Sequence, residues 1–174
     1  RLKTHLIQEK GMPTKKFDRE LYNKSDTLSK KVMSDWLKYA GYGSIDSEED
    51  YGVDISCMKD GTNYFFETEI KYGWKTVWPD SWDEIRIPYR KKKIIDKWTR
   101  EGCNGELIFV IFRKDCKKAW FIKGDLVNAG EVKPIDNRYV RGENFYHIKV
   151  KDATLMDMGN EYEKDTIINT ECPV

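Results

Sequence analysis

Between Tyr51 and Lys71 the chain alternates apolar and polar residues with the period of a β-strand, broken once in the middle. Tyr51 to Met58 and Asn63 to Lys71 are rich in β-branched and aromatic residues, and Lys59-Asp60-Gly61-Thr62 separates them. An Asp-Gly pair between two such runs predicts a β-hairpin, because both residues tolerate the positive φ of its tight turn. Side chains alternate along a strand, so Phe65, Glu67, Glu69 and Lys71 share one face and Tyr64, Phe66, Thr68 and Ile70 the other. Elsewhere the period lengthens. Thr27 to Ala40 predicts a helix with Leu28, Val32, Trp36 and Leu37 inward, ended by Gly41. Arg90 to Arg100 predicts an amphipathic helix with Ile94, Ile95 and Trp98 on one stripe. Ile85 to Ile87, the continuously apolar Glu106 to Phe112, and Lys118 to Lys123 predict strands. Past residue 124, Asp125 to Gly130 predicts a short helix or turn, and Arg138 to Arg141 and Asn144 to Val150 peripheral strand material.

Two carboxylates and an ammonium on one face of an otherwise apolar hairpin are electrostatically costly unless something positive binds there. A divalent cation is the natural candidate. Asp54 on the first strand, with Glu69-Ile70-Lys71 closing the second, resembles the PD-(D/E)xK phosphodiesterase superfamily, which includes restriction endonucleases and archaeal Holliday-junction resolvases. The order of elements, a helix, the motif hairpin, a strand, a helix and two strands, is similar to that superfamily's core. The resemblance covers about Asp26 to Lys123. It implies an α/β fold, a restriction-endonuclease-like mixed central β-sheet flanked by helices. It also implies that Asp54 and Glu69 hold Mg²⁺, with Mn²⁺ able to substitute, that the main-chain carbonyl of Ile70 joins the metal shell, and that Lys71 positions or activates the attacking water. Mg²⁺ suits such a site, since it takes oxygen ligands, commonly one or two carboxylates completed by water and phosphate. Beside two carboxylates, Lys71 is expected to stay protonated without metal. Many members of the superfamily place a further Glu on the first helix, where this chain has Lys30 and Lys31. Asp26, Asp35 or Glu67 remain as alternatives for that acid.

At 174 residues the chain is expected to form one domain, residues 26–150, with an N-terminal arm over 1–25 and an acidic tail over 151–174. A mean hydropathy of −0.75, and no apolar run near the roughly 20 residues that span a bilayer, lead to the expectation of a soluble intracellular protein without membrane contact. It would be cytoplasmic, a virus-encoded protein acting in its host cell included. The sequence begins at Arg1 rather than Met, which leaves an upstream segment open. Cys57, Cys103, Cys116 and Cys172 are far apart and His5 and His147 are the only histidines, so neither a zinc set nor a Cys-His nucleophile is indicated. Cys57 reads as a core thiol.

The net charge of +1 hides a segregated pattern. Arg86, Arg90, Lys91, Lys92, Lys93, Lys97 and Arg100 face only Asp96, whereas Asp46, Glu48, Glu49, Asp50 and Asp54 cluster before the hairpin. A basic stripe directly after the motif strand points to a phosphate backbone, with Arg86, Arg90, Lys91 and Lys93 as the nucleic-acid-binding residues. A helix with lysines on its water side is the alternative. Trp74, Trp78 and Trp82 either stack on unpaired bases or cap the core or a dimer contact, so a homodimer is among the expectations. Together these readings point to a Mg²⁺-dependent nuclease hydrolysing DNA phosphodiester bonds as an endonuclease. A non-catalytic nucleic-acid-binding domain and a structural or interaction protein stand as alternatives.

Overall fold

The computed structural model describes residues 19–49, 52–100, 105–135 and 142–158. Strands β1 (Gly43–Asp46), β2 (Ile55–Lys59) and β3 (Thr62–Lys71) open a six-stranded sheet. The predicted hairpin is β2–β3, and its turn residues Asp60 and Gly61 have φ of 50° and 77°, as an Asp-Gly turn requires. Strand β4 (Glu84–Pro88), a 3₁₀ turn (Tyr89–Lys91) and helix α2 (Lys92–Arg100) then cross over to β5 (Glu106–Arg113). That crossover makes β5 parallel to β3, from Tyr64 opposite Glu106 to Lys71 opposite Arg113. Strand β6 (Lys118–Lys123) returns antiparallel to β5, and β9 (Thr154–Asp157) closes the far edge. The order is β1-β2-β3-β5-β6-β9, a mixed central sheet in an α/β fold.

The two faces of this sheet bury different partners. Helix α1 (Arg19–Tyr39) lays Met33, Trp36 and Leu37 on Phe66, Ile108, Val110 and Phe121. The opposite face buries Leu107, Phe109, Ile111, Trp120 and Ile122 under Ile94 and Ile95 of α2. A second, three-stranded sheet shares that layer, in the order β4, β8 (Asn144–Lys149), β7 (Glu131–Pro134), and the short helix α3 (Gly124–Asn128) lies at its side. Both layers are continuous apolar cores, so the central sheet is shielded on both sides, as parallel strands require.

Several expectations need correcting. Leu28 is exposed, while Ser29 and Met33 are buried, so the inward stripe of α1 is rotated from the predicted one. The small Ser29 lets the helix approach β3 closely, and its hydroxyl meets that of Thr68 at 3.2 Å. The strand at Ile85 to Ile87 forms, but it pairs with β8 in the second sheet. β8 is therefore the middle strand of that sheet and not peripheral. β1 and β9 are not anticipated by the pattern, and β9 falls within the segment read as a tail. Residues 19–25, read as part of the arm, begin α1. Arg138 to Arg141 lie outside the described residues. Cys57 is buried, and burial pushes its thiol up to about 12, which keeps it an inert core residue. Among the described residues no helix is long and apolar enough to cross a membrane.

Candidate active site

The hairpin pairing stops where the chemistry begins. β2 and β3 are in register from Lys59 opposite Thr62 to Ile55 opposite Phe66. Asp54, the residue before β2, thus comes alongside Glu67, while β3 continues to Lys71 with β5 as its one strand partner among the described residues. Asp54 takes the place of a strand partner at this open edge. Its Oδ2 accepts the main-chain N–H of Thr68 at 2.7 Å and the Thr68 hydroxyl at 3.1 Å. Main-chain groups alternate sides along a strand, so the N–H and C=O of Ile70 turn to the same edge as those of Thr68. The main-chain N–H of Asp54 in turn donates to the carboxylate of Glu67.

Glu67, Glu69 and Lys71 follow one another on the face of β3 toward α2, as alternation predicts. Asp54 and Glu67 are buried; Glu69 and Lys71 are half-buried. Burial pushes the Asp54 carboxyl above its ordinary range, against the Thr68 N–H and the charges of Lys91 and Lys30. Glu67 is raised by burial and by repulsion from Asp54, with Lys91 opposing. Glu69 is raised by burial, opposed by Lys91, Arg90 and Lys71. Three carboxylates raised first of all by burial therefore sit along one edge.

Two lysines attend them, one from each layer. Lys30 of α1 ion-pairs with Glu49, with Asp26 at 3.3 Å and with Asp54 at 3.8 Å. Lys91, from the 3₁₀ turn before α2, ion-pairs with Glu67 and is attracted by Asp54 and Glu69. Burial alone would lower Lys91, but these acids outweigh it and hold its ammonium above the ordinary lysine value. Lys71 behaves in the opposite way. Burial lowers it, Arg86 adds to the lowering, and Glu69 only partly resists. The Lys71 Nζ lies 5.4 Å from the centre of the Trp82 ring and forms no ion pair among the described residues, so Glu69 acts on it only from a distance.

The remaining predicted residues divide by orientation. Arg86 is exposed on β4, between the buried Ile85 and Ile87. Arg90 has 64% of its side chain exposed and lies 3.7 Å from Glu143, and Lys93 is exposed, whereas only 19% of the Lys91 side chain reaches solvent. Asp26 joins the site through Lys30; Asp35 pairs instead with Lys31 at 2.9 Å. The tryptophans cap the core: Trp74 is buried, and Trp78 packs edge-on to Trp74, Trp82 and Trp120. Sequence reasoning missed the inward roles of Lys30 and Lys91, and Thr68 as the support of Asp54. The one signal available for Lys30 was its place on the first helix where the superfamily carries an acid.

No protein-family model and no curated protein matches the chain. Among solved structures it is similar to Hjc, a Holliday junction resolvase from the archaeal hyperthermophile Archaeoglobus fulgidus. That similarity has a TM-score of 0.45 and 11% identity, over 72% of this chain and 84% of that one. A likeness of this size does not reach individual residues, and the geometry of the site has to carry any functional reading.

Proposed function

We propose that this protein is a divalent-metal-dependent nuclease that hydrolyses DNA phosphodiester bonds as an endonuclease. The observation that carries the reading is the edge of β3, where Asp54 comes alongside Glu67, and Glu69 and Lys71 follow on the same face beside exposed basic residues. The donor set fits a hard cation in kind: carboxylate oxygens raised by burial, and a main-chain carbonyl turned to the same edge. Among the described residues no three acidic, His or Cys side chains lie close enough to share one ion. In this reading Asp54 and Glu69 with the Ile70 carbonyl would be the protein's share of a Mg²⁺ or Mn²⁺ shell, which water and a substrate phosphate would complete. When bound, the ion supplies a polarised phosphate and a more acidic water.

The chain's own residues do the rest. Thr68 fixes the Asp54 carboxylate through two donors, which preorganises it. Lys71, lowered by burial and by the charge of Arg86, is suited to orient the attacking water and take its proton. Arg86, Arg90 and Lys93 present cationic groups to the DNA backbone. The purified protein, incubated with supercoiled, linear and branched DNA in Mg²⁺, Mn²⁺ or EDTA, should nick or linearise DNA only with metal. DNA binding with no cleavage under any condition would instead support a non-catalytic binding domain. Neither binding nor cleavage would leave an interaction protein.

A further inference from the structure

We propose that Lys91 is a built-in counter-cation: it closes the carboxylate site in the metal-free protein, yields it to an entering divalent ion, and then serves a substrate phosphate. This rests on the nuclease reading above and assigns the site its own regulation.

The two lysines at the site are not equivalent. Lys30 is held by Glu49 and Asp26 as well as Asp54, so two of its three partners lie off the β3 edge. It stays anchored when Asp54 is neutralised. The attractions on Lys91 come instead from Glu67, Asp54 and Glu69, all acids of the edge itself, and two of these are the proposed ligands. A dication held by Asp54 and Glu69 would offset two of those three attractions and repel the ammonium, leaving Glu67 alone to hold it. Only the side chain would have to move. The backbone of the 3₁₀ turn is fixed by Tyr89, whose ring packs on Tyr146 at 5.3 Å, and by the buried Ile94 and Ile95 just beyond. The four-carbon stem of Lys91 is flexible and its neighbours Arg90 and Lys93 already face solvent. Swung outward, Lys91 would join them as a phosphate contact.

The test is calorimetric titration of Mg²⁺, without DNA, into the parent protein, Lys91→Met and Lys91→Arg. Removing the charge should tighten Mg²⁺ binding by about tenfold or more, the scale of one close charge at a partly buried site, while Lys91→Arg should bind like the parent. Metal-free Lys91→Met should also melt below the parent, and Mg²⁺ should raise its melting temperature by the larger increment. Lys91→Gln carries the same expectation should the Met variant not fold. Measurable Mg²⁺ binding in all proteins with equal or weaker affinity in Lys91→Met overturns the counter-cation role and leaves the metal site standing. No Mg²⁺ binding in any of them overturns the metal site itself, and the inference with it.

Discussion

Thr68 donates both its main-chain N–H and its hydroxyl to the same oxygen of Asp54. Two donors on one oxygen fix the plane of the carboxylate and leave Oδ1, 3.8 Å from the Lys30 ammonium, as the oxygen that would meet an entering cation. Thr68→Val keeps the shape and the N–H but deletes the hydroxyl. It should cost about 1 kcal/mol of stability, or about 2–4 °C in melting temperature for a domain of this size. Metal affinity should weaken in step. An unchanged melting curve and unchanged metal binding would show that the hydroxyl contributes nothing.

Lys71→Ala separates catalysis from binding. It removes the group that handles the water and leaves the carboxylates in place, so metal-dependent cleavage should collapse while DNA affinity stays near the parent value. Full cleavage by a preparation cleared of contaminating nucleases would show that Lys71 has no catalytic part.

The exposed cations should behave in the converse manner. Replacing Arg90 and Lys93 together by Ala should weaken DNA binding broadly across sequences. The log-log salt slope should flatten by about one unit for each phosphate that the variant no longer neutralises. Parent-like binding at every salt concentration would reduce this surface to a solvated face.

Acidity should tune the metal-free fold in a distinctive way. Asp54, Glu67 and Glu69 have raised pKa values, first of all through burial. Each therefore contributes stability that is complete below the unfolded carboxylate pKa and is lost as pH rises through the raised folded value. Glu84, bonded to His147, and Asp115, bonded to Arg113, are lowered; their contributions are present above the unfolded value and fade as pH falls through the folded one. In EDTA the melting temperature should thus decline as pH rises above the ordinary carboxylate range, and Glu67→Gln should flatten that decline. A melting temperature that instead climbs as pH rises above that range in EDTA would contradict the burial of these acids.

Gly105→Ala probes the crossover. A Cβ at Gly105 would stand 2.3 Å from the carbonyl oxygen of Asn63 and 2.9 Å from its carbonyl carbon, both main chain. Neither can step aside without disturbing the start of the β3–β5 pair, so the variant should lose several kcal/mol, roughly 10 °C or more. A melting temperature within a degree or two of the parent would mean that this approach relaxes at little cost.

What was legible in the sequence was what local rules determine. The hairpin at Asp60-Gly61 follows from turn chemistry and a period of two, and that period alone places Glu67, Glu69 and Lys71 on one face. The phase of α1 was not legible, because burying Ser29 in preference to Leu28 depends on how closely the helix approaches Thr68. β1 and β9 are four-residue edge strands whose pairing comes from the neighbouring strand, not from their own composition. The pairing of β4 with β8 joins segments far apart in the chain, beyond any window of periodicity. Within Arg90 to Lys93 nothing in the run distinguishes one cation from the next. Only the geometry of the 3₁₀ turn directs Lys91 inward while Arg90 faces out.

The open edge of β3 has a consequence for how this protein behaves in a crowded solution. A strand edge without a partner strand invites another chain to add to it, and among the described residues β3 has no strand partner on that side beyond Phe66. Asp54, Glu69 and Lys71 line that edge with charge, which discourages an incoming strand as effectively as it would attract an ion. Neutralising all three at once, as in an Asp54→Asn, Glu69→Gln, Lys71→Met variant, would expose a flat polar edge next to the apolar Ile70. Such a protein should self-associate on concentration where the parent stays dispersed. The residues proposed for cleavage would then also be the ones that keep copies of the chain apart.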